Sequence, residues 1–324
     1  MWSFVFHEIM NTSAVMASPI QWTSSWLPLL TLFFFGCIFL LCLLIVGLVA
    51  NITVCVVMLR GGRFKKHLSN FMLFHLSITD IAYRLIIVPG QLASIFYSLE
   101  TRATMFCKVA KTFLYTFITA VFTSLVVIAF DRHQSITRPF QRFKHKPKFY
   151  RYFLAVWVYS ILCALPQMLN SGNATLFVNF NISANGTNST YGIHLCVSSN
   201  AGSTQRTVSL IYFILGFLVP LVIITVAYSK ISVFLWRKSR NRMINQAALK
   251  SKGKAVRMLV LVVVEFVICL GVPQLYDLMK SFGFKDQAAI AVLCLILQLS
   301  SSVINPVIYG LYSAEFKQGL KQGR

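Results

Sequence analysis

Negative charge is scarce in this chain. Its 324 residues include only eight Asp and Glu against 30 Lys and Arg, and charged residues make up 12% of the total. A soluble domain usually carries about twice that charged fraction, so a water-soluble globular protein is disfavoured. The formal charge of +22 would suit a nucleic-acid-binding protein, but no nucleic-acid module occurs in the sequence.

Clusters of catalytic or metal-binding residues are also missing. The six histidines are scattered along the chain, and no group of His, Asp and Glu has the spacing of a metal site. The Gly-x-Ser-x-Gly motif of many hydrolases does not occur. No internal repeat is found, which disfavours a transporter built from duplicated halves. We therefore expect no enzyme, no cofactor and no metal, and a transporter remains a remote alternative.

Long apolar runs are what the chain has in abundance, since 57% of its residues are hydrophobic. Seven runs reach the roughly 20 residues that cross a bilayer. The sequence predicts an all-α membrane protein, a bundle of seven transmembrane helices in residues 28–311, with an extracellular tail (1–27) and a short cytoplasmic tail (312–324). The predicted spans are 28–59, 67–97, 104–137, 150–170, 207–236, 255–280 and 287–311.

The distribution of basic residues predicts the orientation in a plasma membrane. Most Lys and Arg residues lie in alternate loops and in the C-terminal tail, and such loops face the cytosol. The N-terminus is therefore expected outside, and the high charge reflects topology. Glycosylation sequons agree, because five of them fall on the predicted outer face. These are Asn11, Asn173, Asn181, Asn185 and Asn188.

Two further features concern the regions outside the helices. Cys107 and Cys196 lie on the oxidising outer face, so we expect a disulfide between them. The outer segment 171–206 is rich in Asn, Ser, Thr and Gly and is predicted to be a glycosylated surface loop. In the tail, Phe316 and Leu320 lie four residues apart beside lysines, which is typical of a short amphipathic helix on the inner membrane surface.

A charged triplet, Asp131-Arg132-His133, lies at the cytosolic end of the third span. Ionisable residues inside membrane segments are costly and usually functional. Alone, the triplet could be charges that extend to the interface at a helix end. Other motifs follow in order: Gly47 and Asn51, the run Leu76–Asp80, Trp157 and Pro166, Pro220 and Tyr228, and Asn305-Pro306 followed by Tyr309.

With these motifs the chain resembles a rhodopsin-like (class A) G protein-coupled receptor over residues 28–320. The resemblance implies a heterotrimeric G protein as the cytosolic partner, with anionic lipid headgroups beside the basic rim. It implies that Asp131 neutralises Arg132 at rest and that Tyr228 and Tyr309 swing towards Arg132. The implied coupling residues are Asp131, Arg132, His133, Tyr228, Asn305, Pro306 and Tyr309.

The nature of the ligand is also suggested by resemblance. Leu114 occupies the place where amine receptors carry an acid, so an amine ligand is not expected. The outer half resembles the vasopressin/oxytocin and gonadotropin-releasing-hormone group in Pro89-Gly90-Gln91, Cys107–Lys111 and Trp157–Gln167, which implies a peptide ligand. Alternatively, Gln167 caps a helix and Lys111 extends outwards. The pocket candidates are Gln91, Lys111, Tyr115, Gln167, Gln274, Tyr276, Asp277 and Gln298.

The sixth span departs from the family pattern Phe-x-x-Cys-Trp-x-Pro. Leu270 stands in place of the tryptophan, and Pro273 comes one residue late. Gly271 is a candidate source of compensating flexibility. Lys252 stands where many members carry an acid facing Arg132. These changes keep open an alternative: a receptor-fold protein with constitutive or altered signalling, or a non-signalling decoy.

Polar residues inside the membrane raise the question of an ion. Asp80 corresponds to the family's sodium-site acid, but Arg84 lies one helical turn away on the same face. Val121 replaces the usual serine ligand. We expect an internal pair of Asp80 and Arg84 that competes with sodium; alternatively, Arg84 faces the outer pocket. Glu265 is a lone acid that must be neutral or paired, and the sequence does not identify its partner.

Overall fold

The structure is a computed structural model that describes residues 26–65, 67–96, 103–138, 149–169, 171–181, 188–198, 202–239, 246–285, 287–312 and 316–318. Seven long helices run through these residues, which confirms the predicted seven-helix bundle. They are α1 (Trp26–Leu59), α2 (Leu68–Phe96), α3 (Ala103–Thr137), α4 (Phe149–Leu169), α5 (Ser203–Ser239), α6 (Gln246–Phe266 continuing through Val272–Ser281) and α7 (Ala288–Tyr312).

Among the described residues, six helices contain a segment long and apolar enough to cross a membrane, namely α1 and α3 to α7. Helix α2 has 29 residues, so at 1.5 Å per residue it exceeds the roughly 30 Å hydrocarbon thickness. Its polar residues are buried inside the bundle rather than turned to lipid, among them Asn70, His75 and Asp80. The bundle therefore shields these polar side chains from lipid.

Helices α5 and α6 each contain a π-helical turn. The α5 π turn is Phe213–Leu218 and the α6 π turn is Val267–Gly271. A π turn holds one more residue than an α turn. It therefore absorbs the extra residue that makes Pro273 late in the sequence, and Pro273 lies at the start of the segment Val272–Ser281. At that position its missing N–H costs little.

Helix α3 is the centre of the packing. It contacts α2, α4, α5 and α6, and its side chains Phe122, Leu125 and Ile128 are fully buried. The outer surface of the bundle instead exposes large apolar side chains such as Leu162 and Val222. A surface of this kind is expected where lipid, not water, surrounds the protein.

The predicted outer loop between α4 and α5 contains a β-hairpin, which the sequence analysis did not foresee. Strand β1 (Ser171–Asn181) pairs antiparallel with β2 (Asn188–Ser198). Strand β1 contains the apolar run Leu176-Phe177-Val178, and β2 alternates Tyr191, Ile193, Leu195 and Val197 with other residues; strands favour both aromatic and β-branched residues. Strand β1 contacts α3, and β2 contacts both α2 and α3.

The two ends of the chain are described only in part. The predicted extracellular tail lies outside the described residues up to residue 25. At the other end, residues 316–318 are helical and Phe316 is buried in the main core. Phe316 lies against Gly310 of α7, so an apolar residue of the predicted amphipathic helix faces the bundle. Leu320 lies outside the described residues, and the full eighth helix stays a prediction.

Candidate coupling site and ligand pocket

The triplet Asp131-Arg132-His133 lies in the last turns of α3. Asp131 is buried, whereas Arg132 and His133 are half-buried. The hydroxyl of Ser135 donates a hydrogen bond to the Asp131 carbonyl at 2.6 Å, which holds the end of the helix. The guanidinium of Arg132 interacts electrostatically with the phenol of Tyr228 on α5. The structure thus brings together two residues that lie about a hundred positions apart in the sequence.

Helix α7 contributes Asn305, Pro306 and Tyr309 at the same end of the bundle. Pro306 lies inside the helix, where it removes a backbone hydrogen bond and permits bending. Asn305 and Tyr309 are buried, and within the described residues their side-chain polar atoms have no hydrogen-bond partner. The same holds for the hydroxyl of Tyr228. Buried polar groups are rarely unsatisfied, so these groups can form new bonds when the helices rearrange.

The outer end of the bundle contains a cluster of charges. Lys280 and Asp277 of α6 form an ion pair with an N–O distance of 2.8 Å. The ammonium of half-buried Lys111 on α3 interacts electrostatically with both. Lys280 is the ion-pair partner of Asp277, and Lys111 adds a second positive charge near this pair. Lys280 also lies over the ring of Tyr276, with its Nζ 4.8 Å from the centroid.

Tyrosines surround this charge cluster. The rings of Tyr115 (α3) and Tyr212 (α5) are in edge contact, with centroids 4.6 Å apart. The Tyr212 hydroxyl donates to the Tyr115 carbonyl at 3.1 Å and accepts from the Thr119 hydroxyl at 3.2 Å. On α2, the Tyr83 hydroxyl donates to the Gln298 side chain of α7 at 3.4 Å.

Sequence reasoning missed three of these residues, Tyr83, Tyr212 and Lys280. Lys280 pairs with Asp277. Asp277 also interacts electrostatically with the phenols of Tyr83 and Tyr212, as it does with that of Tyr115. The spacing of Asp277 and Lys280, three residues apart on one helix, was a signal for their pairing. No sequence signal indicated that the two tyrosines would face them, because they lie on other helices.

The remaining pocket candidates have structural contacts. The Gln167 amide donates to the Val208 carbonyl of α5 at 3.4 Å, so it links α4 to α5. The Tyr276 hydroxyl accepts from the backbone N–H of Gln287 at 2.8 Å and lies 3.3 Å from its carbonyl, which joins the outer ends of α6 and α7. Gln274 is buried, and its amide nitrogen has no partner among the described residues. The side chain of Gln91 lies outside the described part.

Arg84 is almost completely buried, with 2% of its surface exposed. One of its terminal nitrogens donates to the Leu299 carbonyl of α7 at 2.6 Å. Asp80 is hydrogen-bonded to the Ser302 side chain and interacts electrostatically with Arg84. Asn51 of α1 donates to the carbonyls of Gly47 and Ser302, each at 2.9 Å. Arg84 thus bonds across the bundle to α7, and its predicted competition with sodium stays a prediction.

Glu265 of α6 is buried with Ser301 of α7 and Cys269 beside its carboxyl group. The charge of Asp80 also acts on it. Within the described residues, neither carboxyl oxygen has a hydrogen bond of good geometry. A buried carboxylate without donors would be strongly unfavourable, and the expectation that Glu265 is neutral or paired stays a prediction.

The extracellular predictions fall on the hairpin and its surroundings. Asn173 and Asn181 lie on β1 and Asn188 on β2, where Asn181 is paired with Asn188. Cys196 lies on β2 opposite Asn173, and β2 contacts the helix that carries Cys107. The side chains of both cysteines lie outside the described part, as do Asn11 and Asn185. The disulfide and the glycans stay predictions.

Comparison with known proteins places this geometry in a family. The family model "7 transmembrane receptor (rhodopsin family)" matches residues 50–309. The mouse substance-K receptor is 26% identical, and the alignment covers 87% of this chain and 73% of that receptor. The zebrafish (Danio rerio) galanin receptor 2a is 24% identical, covering 86% and 74%, and the rat galanin receptor type 2 is 25% identical, covering 93% and 77%.

These relatives do not test the finer subgroup, so the likeness to the vasopressin/oxytocin and gonadotropin-releasing-hormone group stays a prediction. The match spans six of the seven helices completely or nearly so, together with α1 from residue 50 onwards. It includes Asp80, Asp131-Arg132-His133 and Asn305 to Tyr309. The chain therefore belongs to the rhodopsin family of seven-transmembrane receptors, which are multi-pass membrane proteins and not enzymes.

Proposed function

We propose that this receptor responds to an extracellular peptide and transmits the signal to a heterotrimeric G protein. The observation that carries the proposal is a polar, charged outer cluster and, at the other end of the same rhodopsin-family bundle, an electrostatic interaction between Arg132 and Tyr228. The substance-K and galanin receptors are named for peptide ligands, and this supports a peptide for the present chain.

The outer cluster suits a peptide better than an amine. Lys111, Asp277 and Lys280 offer both charge signs, and the amides and phenols around them can donate and accept hydrogen bonds. A peptide backbone presents both donors and acceptors. An amine ligand would need an acid on α3 that faces the pocket. Leu114 stands at that position instead.

The cytoplasmic end supports coupling. Arg132 is half-buried with Tyr228 beside it, and unsatisfied hydroxyls of Tyr228 and Tyr309 lie in the same half. A ligand acts only by binding one helix arrangement better than another. In the open arrangement these groups bond to each other or to a partner, which favours a state that admits the G protein.

The test of coupling is basal and peptide-stimulated G protein activation in cells that carry dissociation sensors for each G protein class. Arg132→Ala is compared with the wild type at matched surface expression, and a peptide library is the stimulus. We expect a response from one class that Arg132→Ala abolishes. A well-expressed wild type that activates no class, with or without peptides, would instead support a decoy.

The test of the pocket uses a peptide that passes the first screen. Lys111→Gln removes a charge from the outer cluster, and Lys285→Gln removes one from an exposed position in the segment that joins α6 to α7. We expect Lys111→Gln to reduce peptide potency by about tenfold, as lost charge-assisted bonds do. Equal potency of the two variants would contradict a pocket role for Lys111.

A further inference from the structure

The two π turns meet at the centre of the bundle. Phe217 of the α5 π turn and Gly271 of the α6 π turn are both buried. A Cβ atom added to Gly271 would lie 2.6 Å from Cζ and 2.7 Å from Cε2 of Phe217. The phenylalanine ring therefore lies directly on the glycine backbone, and no residue with a side chain fits there unless the ring moves.

The ring of Phe217 has little room to move. It is in edge contact with Phe122 of α3, with centroids 5.0 Å apart and the planes at 82°. On its own helix, Phe213 lies 5.2 Å away. Aromatic pairs prefer such tilted and edge-to-face geometries. Phe217 thus fills the space between α3, α5 and α6 from the α5 side, at the level where Leu270 provides no aromatic ring.

The same π turn also touches the ligand-pocket tyrosines. A Cβ atom on Gly216 would lie 2.9 Å from the Thr119 hydroxyl and 3.0 Å from the ring of Tyr212. Tyr212 in turn bonds to the Tyr115 carbonyl. A shift of Tyr212 therefore moves the backbone that carries Phe217, because Gly216 leaves no gap between them.

We propose that Phe217, packed on Gly271, is the positioning residue that couples the ligand pocket to the movement of α6 in this receptor. The aromatic ring comes from α5 because α6 carries Leu270 and Gly271 at this level, neither of which is aromatic. The contact is possible only while α6 lies close to α5, so it stabilises the resting arrangement. The inference rests on the proposed signalling function but concerns a helix movement that can be measured without a G protein.

The experiment measures the distance between spin labels at Arg138→Cys, directly after α3, and Lys254→Cys on α6 by double electron–electron resonance. Both positions are exposed, and protein without the two cysteines gives the background. The purified receptor is held in lipid nanodiscs. Gly271→Ala forces a methyl group against the ring, so we expect the population of the long, open distance to rise about threefold.

Two further variants complete a double-mutant cycle. Phe217→Ala removes the ring and should also increase the open population. In Gly271→Ala/Phe217→Ala the new methyl group meets no ring, so the open population should be no larger than in Phe217→Ala alone. Gly253→Ala is the matched control, because nothing lies within 4 Å of a Cβ atom at Gly253 on the same helix. It should leave the distances unchanged.

The outcomes separate the possible roles. If Gly271→Ala and Gly253→Ala give the same distances, or if the double variant is as open as the two single effects combined, the proposal is wrong. A purely structural contact would lower thermal stability without changing the distances. Phe217→Leu keeps most of the apolar volume and serves if Gly271→Ala does not fold; an unchanged distance there would also contradict the proposal. If α6 moves as expected but no G protein is activated, only the proposed function fails.

Discussion

Arg84 of α2 reaches across the bundle to the Leu299 carbonyl of α7, and its guanidinium carbon would lie 2.8 Å from a Cβ atom at Gly47 of α1. One buried side chain therefore depends on three helices. The Leu299 carbonyl and the nearby Asp80 carboxyl group offset part of the free-energy cost of burying this charge. At the residue scale, the glycine of α1 and the arginine of α2 are a matched pair.

The first residue-scale prediction follows from that pair. Gly47→Ala pushes the guanidinium away from Leu299, so the free energy of unfolding should fall by about 1.5–3 kcal/mol, the range for a hydrogen bond to a charged group. Gly36→Ala on the same helix meets nothing within 4 Å and should not lower stability. Thermal unfolding of the purified receptor measures both. Equal melting temperatures would contradict the role of Gly47.

The second residue-scale prediction concerns His75, which joins α2 to two other helices. Its Nε2 accepts from the Trp157 indole N–H at 2.9 Å, and its Nδ1 lies 3.1 Å from the Ser124 hydroxyl. Because Nε2 is the acceptor, Nδ1 carries the proton. His75→Ala leaves the indole without a partner and should cost about 1–3 kcal/mol of stability.

Trp157→Phe provides the comparison for His75. The smaller ring keeps an aromatic contact with the His75 ring, which is in edge contact with Trp157 at 5.8 Å, but it loses the N–H donor. We expect the loss in His75→Ala/Trp157→Phe to be smaller than the sum of the single losses. Additive losses in thermal unfolding would mean that the bond contributes nothing.

The α6 π turn gives the clearest case at the scale of an element. An extra residue in a regular helix rotates everything beyond it by about 100°. In α6 the extra residue is held in Val267–Gly271, so both flanking segments keep their inward faces: Glu265 and Phe266 before it, and Pro273 and Gln274 after it, are all buried.

The element-scale prediction is a pair of deletions. Removal of Ile268, an exposed residue inside the α6 π turn, should convert the π turn to an α turn and leave a folded receptor. Removal of exposed Val264 from the regular helix should rotate the residues between the deletion and the π turn, such as Glu265 and Phe266, by about 100° away from the core. We expect surface expression to fall strongly. Surface expression and melting temperature are the measurements. If both deletions expressed equally well or equally poorly, the insertion account would be wrong.

At the scale of the whole molecule, the buried polar residues connect α1, α2, α6 and α7 into one network. Asn51 bonds to Ser302, Asp80 interacts with Ser302 and Arg84, and Glu265 lies beside Ser301. The cation Arg84 sits next to the acid on which sodium would depend. Val121 on α3 offers no oxygen ligand.

The whole-molecule prediction is insensitivity to sodium. Replacing sodium by an equal concentration of choline should leave the melting temperature and peptide binding of the receptor unchanged, because Arg84 already supplies the positive charge near Asp80. Arg84→Gln removes that charge and should make the receptor more sensitive to sodium than the wild type. A clear sodium effect on the wild type that Asp80→Asn abolishes would contradict the prediction.

Much of the architecture was predictable from the sequence, and the missed parts have two different causes. The seven spans and the Asp131-Arg132-His133 triplet follow from local runs of residues. The hairpin Ser171–Ser198 was not foreseen because its many Asn, Ser, Thr and Gly residues are typical of loops. Tyr212 and Tyr83 were missed because the reasons for their position lie on other helices.

The sequence by itself determined the topology and the family of this protein. The transfer of a side chain from water to lipid depends mainly on that side chain, so spans and orientation can be added up along the chain. Only the tertiary structure decided that Arg84 bonds to Leu299, that Phe217 lies on Gly271 and that a π turn absorbs the late proline. These depend on close packing between helices distant in sequence, where a shift of 1 Å decides which atoms touch.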